Sequence, residues 1–67
     1  MTEDAARIVC LVRAFETAAQ PDDSWVRTES ARAGDRAAQE VGANASDETF
    51  IQRRAELVWE RITARQP

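Results

Sequence analysis

Residues that break helices are scarce in this chain, and their positions decide what it can fold into. There are two glycines and two prolines, and Pro67 is the last residue. Three breakers remain inside: Pro21, Gly34 and Gly42. Proline disfavours helical geometry in the residue before it, so "QPDDS" reads as a helix end followed by a new start. Gly42 follows a helical pattern and reads as the left-handed residue that closes a helix. Gly34 falls in mid-pattern, where it costs roughly 1 kcal/mol relative to alanine. It marks either a close contact or a weak point. No stretch alternates β-branched residues as a strand would. The expectation is three helices and two short connections.

The first helix should run from about residue 2 to residue 20. Thr2 is placed to cap it, and Glu3 and Asp4 sit at the positive end of the helix dipole. At 100° per residue Ile8, Leu11, Val12, Phe15, Ala18 and Ala19 share one face. The second helix should span about residues 24–41, capped by Ser24 or Asp23. Its inner face would be Val26, Ser30, Ala33, Ala37 and Val41, small side chains that allow close approach but bury little apolar area. The third should span about residues 47–65, with Ser46 as N-cap and Asp47 and Glu48 in the first turn. Ile51, Ala55, Val58 and Ile62 line one face, with Trp59 at its edge. Phe50, Leu57 and Ala64 form a second stripe at seven-residue spacing, and Arg54, Arg61 and Arg65 lie between the two.

With 67 residues, this is one small helical domain, 1–67. The expected fold is all-α, a small antiparallel three-helix bundle. The rival is a long helical hairpin whose core is completed by dimerisation. Of the 29 hydrophobic residues 13 are alanine, which leaves 16 larger ones. That is a thin core, and small domains need a staple or a partner to be stable. One cysteine, Cys10, cannot close an internal disulfide, and with no histidine a zinc-type ligand set is lacking. The thin core therefore points to oligomerisation or to a protein partner.

The net charge is −3, and all nine basic residues are arginine. Arginine with abundant alanine points to a GC-rich bacterial source. Arginine also favours forked contacts with carboxylates at interfaces. A domain built to grip phosphates usually carries a clear basic excess. No apolar run reaches the ~18 residues of a membrane span, so no membrane role is expected. The acidic N-terminus is unlike a signal peptide, and the expected setting is the reducing cytoplasm.

Residues 37–56 resemble a helix-turn-helix. Ala38 stands four residues before Gly42, and a polar cap and a helix with Arg53 and Arg54 follow. The resemblance implies a DNA-binding regulator, which is the alternative function. Three features oppose it. A standard turn would start the second helix at Asn44 and bury Glu48, which is costly without a partner. Moving the cap to Ser46 lengthens the turn by two residues. Phe50 and Ile51 are followed, three residues on, by Arg53 and Arg54 rather than by apolar side chains. The first turn, which would approach the bases, carries Asp47 and Glu48.

No catalytic constellation emerges, and the chain is read as a non-enzyme. Cys10 lacks a histidine to activate it. The acidic pairs Glu3–Asp4, Asp22–Asp23 and Asp47–Glu48 all lie at helix starts, where capping and the dipole explain them. No cofactor, metal or catalytic site is expected. Tryptophan and arginine are enriched in interface hot spots, so the expected partner-contact residues are Trp25, Phe50, Arg54, Leu57, Trp59 and Arg61. The expected function is a small protein–protein interaction module. It would be a homo-oligomeric regulator, or an accessory subunit of a larger enzyme or complex.

Overall fold

The structure is a computed structural model that describes residues 1–65. Its three helices are α1 (Glu3–Ala18), α2 (Ser24–Val41) and α3 (Asp47–Arg65), with no strand among the described residues. The ends follow local chemistry. The Thr2 hydroxyl accepts from the Ala5 amide at 3.1 Å, and the Ser46 hydroxyl accepts from the Thr49 amide at 3.2 Å. Each satisfies a donor that a helix start leaves unpaired. The α1 pattern was expected to reach residue 20, but it stops at Ala18. Ala19 is already extended (φ −61, ψ 134), because Pro21 keeps the residues before it out of helical geometry. Asp23 is the N-cap position of α2 but makes no side-chain cap bond. Its Oδ2 instead accepts from the Gln20 amide at 3.0 Å, which tightens the α1–α2 turn.

Helix α3 is the central element. It packs along both α1 and α2, whereas α1 and α2 approach each other closely at few points. Arginines of α3 reach α2 carboxylates at two levels, Arg53 to Glu40 and Arg61 to Glu29. Residue numbers therefore fall along α2 as they rise along α3, and the two helices are antiparallel. At one end of the molecule the Met1 amine meets Glu48 at 2.6 Å. At the other, Phe15 and Arg65 both meet Trp25. Helix α1 thus runs in the same sense as α3, and the chain is a three-helix bundle with consecutive helices antiparallel.

The core is built of alanine, valine and two larger aliphatics. Val12, Ala37, Ala55 and Val58 are at most 2% exposed, with Ala33, Leu57 and Ile62 nearly as deep. The small face expected on α2 is present, with Val26, Ala33 and Ala37 buried. No polar or charged residue is fully buried among the described residues.

Two expected faces differ. On α1 the buried residues are Ala5, Val9 and Val12, while Leu11 is 44% exposed and Ala18 is at the surface. The apolar arc of α1 is wider than one neighbouring helix can cover, and α3 takes the Val9 side of it. On α3 the second stripe supplied two of the expected partner-contact residues, Phe50 and Leu57. Leu57, however, is 5% exposed and belongs to the core. A central helix with two neighbours buries residues of both stripes. Ala64 alone of the three is exposed, and Phe50 is half-buried.

Candidate interaction surface

Polar side chains on neighbouring helices meet at defined points because helical spacing stacks them over the same grooves. One such point, Glu16, joins all three helices. Its Oε2 accepts from Arg54 Nη2 of α3 at 2.6 Å and also from the Ser30 hydroxyl of α2. One carboxylate oxygen thus ties all three helices together. Glu16 and Arg54 keep only 22% and 29% of their side-chain surface exposed, so water screens this pair less than it would a surface pair.

The α2–α3 seam carries further pairs. Arg53 binds Glu40 and, within its own helix, Glu56 at 3.3 Å. Arg36 also reaches Glu40, at 3.1 Å. The Arg53 hydrogen bond, helped by Arg36, holds the Glu40 carboxyl below the ordinary glutamate value of 4.5, and Glu40 in turn raises Arg53. Arg61 binds Glu29 at 3.1 Å with more than half of its side chain in water. Arg53, Arg54 and Arg61 would have to be available together for a DNA contact, and here each faces a carboxylate. The α2–α3 connection is an antiparallel hairpin with contacts at both ends, whereas helix-turn-helix pairs cross at ≈ 90–120°.

Trp25 closes one end of the bundle. Its ring lies 5.8 Å from that of Phe15 at a tilt of 58°, a favourable edge-inclined geometry. The Arg65 guanidinium carbon sits over the Trp25 ring, 4.0 Å from its centroid, as a cation–π contact. Trp59 and Phe50 are half-buried against the core. The six residues expected at an interface are therefore not one patch. Trp25 is at the end, Leu57 and Arg61 border the α2–α3 cleft, and Phe50 and Arg54 border the α1–α3 cleft.

Both clefts flank α3. The α2–α3 cleft, of about 530 Å³, has Ala33 and Leu57 at its base and a rim of alternating arginines and acids. The α1–α3 cleft, of about 240 Å³, is lined by Val9, Val12, Phe50, Ile51 and Ala55. Arg13 stands at its edge and makes no ion pair among the described residues. Sequence reasoning missed Arg13 and the exposed Leu11. The signal was the width of the apolar arc on α1, which left room for a second contact surface beside the core. Cys10 is exposed. No group of three or more histidine, cysteine or acidic side chains able to hold a metal occurs among the described residues. No described helix is long and apolar enough to cross a membrane.

Compared with protein-family models, with curated proteins and with solved structures, the chain matches none.

Proposed function

We propose that this chain is a small helical protein–protein interaction module, acting as a homo-oligomeric regulator or as an accessory subunit of a larger enzyme or complex. One observation carries the reading. All four aromatic side chains, Phe15, Trp25, Phe50 and Trp59, stay half-buried at the margins, while the interior is alanine and branched aliphatics. Aromatic rings supply much of the burial energy of cores and interfaces. A chain that leaves every ring partly in water gains by covering them with a second surface. Leu11, at 44% exposure, adds to the uncovered apolar area.

The reading is of a non-enzyme that needs no cofactor. The exposed, solitary Cys10 suits a reducing cytoplasm, and the arginine- and alanine-rich composition suits a GC-rich bacterial source. Molar mass by light scattering, with capture of interacting proteins on the immobilised chain, tests the reading. A defined oligomer, or a stoichiometric captured partner, is expected. A monomer that retains nothing would sink it. Fluorescence anisotropy with random duplex DNA at low salt belongs to the same experiment. Binding that weakens steeply with salt would mean phosphate contacts and favour a DNA-binding regulator instead.

A further inference from the structure

We infer that the α1–α3 cleft is a docking site for an acidic segment of a partner protein, with one aromatic side chain inserted and one carboxylate on Arg13. The inference rests on the interaction reading above and assigns the place and chemistry of the contact.

Three observations converge on it. The cleft has an apolar base of the buried Val9, Val12 and Ala55, with Phe50 and Ile51 standing half-buried as walls. An inserted ring would cover Phe50 and gain an aromatic contact. The size is that of an anchor, because 240 Å³ falls below the roughly 300–1,000 Å³ of small-molecule sites. The charge selects the occupant. Glu16 and Arg54 neutralise each other at 2.6 Å, so Arg13 leaves the lining net positive on a chain of net charge −3. Arg13 is exposed and, among the described residues, pairs with no carboxylate that it would have to leave. The larger α2–α3 cleft lacks this bias: Arg32, Arg36 and Arg61 on its rim are matched by Glu29, Asp35 and Glu60.

The probe is the blocked dipeptide acetyl-Phe-Glu-amide, followed by amide chemical shifts of the intact chain. Saturable shifts are expected in residues 9–13 and 50–55, with affinity in the millimolar range. Acetyl-Phe-Gln-amide should bind about two- to fivefold more weakly, the worth of one exposed ion pair. Acetyl-Ala-Glu-amide should not saturate. Arg13→Gln lies at the surface and should leave the fold intact. It should lower the affinity for Phe-Glu to that for Phe-Gln while leaving the latter unchanged. Equal binding of the acid and the amide, shifts mapping elsewhere, or no saturable shifts would each overturn the assignment.

Light scattering on Arg13→Glu distinguishes the remaining occupant. If the native chain is a dimer that this substitution splits, a second copy fills the cleft and the partner-segment assignment fails. A chain that oligomerises or captures a partner yet ignores the dipeptide would lose this site and keep the module reading.

Discussion

Glu16 shows how one residue can organise a small core. Its carboxylate joins Ser30 and Arg54, 14 and 38 residues away in sequence, and so links all three helices at a single point. Glu16→Ala should lower stability by about 1–2 kcal/mol, since it leaves a half-buried guanidinium without its acceptor. A double-mutant cycle with Arg54→Ala, read by urea unfolding, should give a coupling of at least about 0.5 kcal/mol. Additive effects would mean that the pair is only a surface contact. Leu57 tests the opposite kind of site. At 5% exposure it has no room for a charge, and a domain of this size has only about 3–5 kcal/mol to lose. Leu57→Asp should abolish the far-UV helical signal. Retained helicity with lost association would place Leu57 at an outer contact instead.

At the scale of the elements, the two internal glycines have opposite roles. Gly42 has φ 82 and ψ 166, a conformation almost confined to glycine, and it donates to the Ala38 carbonyl at 3.1 Å as it ends α2. Gly34 is ordinary helix, and a Cβ built there meets nothing within 4 Å. Gly34→Ala should therefore stabilise by roughly 1 kcal/mol, and Gly42→Ala should destabilise by about 1–3 kcal/mol through backbone strain alone. Thermal melts should move in opposite directions. If both rise, the positive φ at residue 42 is not required.

The α2–α3 seam adds a pH dependence. Glu40 is held below 4.5 by Arg53 and Arg36, so it binds its proton more weakly folded than unfolded. Its contribution is present above pH 4.5 and fades as pH falls through the lower, folded value. Because the pair is exposed, the effect is small and salt-sensitive. The melting temperatures of the native chain and Glu40→Gln should differ at neutral pH and low salt and converge in acid or in high salt. A difference that persists in acid would assign Glu40 another role.

The helix positions were legible because they depend on local signals: Thr2, Pro21, Gly42 and Ser46 each act within a few residues. Facing directions were less so. Leu11 and Val9 both belong to the apolar arc of α1, and only the position of α3 decides that Val9 goes inward. The two stripes of α3 were visible, but a central helix with two neighbours and an outer helix with one neighbour and a partner carry the same pattern. The candidate surface was therefore the less legible part. Arg54 and Arg61 were expected at a partner contact; within the chain they pair with Glu16 and Glu29, mates set by tertiary packing that spacing along the chain does not encode.

The whole molecule is a hairpin with a third helix attached on one side. Helices α2 and α3 are joined along their length by buried alanines, Leu57 and a row of ion pairs, whereas α1 packs chiefly on α3 and only at few points on α2. The attachment of α1 is also uneven. Its C-terminal half is held by Glu16, by Val12 at 1% exposure and by the Phe15–Trp25 contact. Its N-terminal half buries only Ala5 and Val9 and is closed by the exposed Met1–Glu48 pair. Local opening follows the number of buried contacts that must be broken. Amide hydrogen exchange should therefore be fastest in residues 3–9 of the helices, slower in residues 12–18, and slowest in the middle of α3. The same gradient bears on the proposed docking, because the α1–α3 cleft lies where the weakly held half of α1 meets its firmly held half. A segment docked there should raise protection across residues 3–9 more than in α2. Uniform protection in the free chain would show instead that α1 and the hairpin open as one unit.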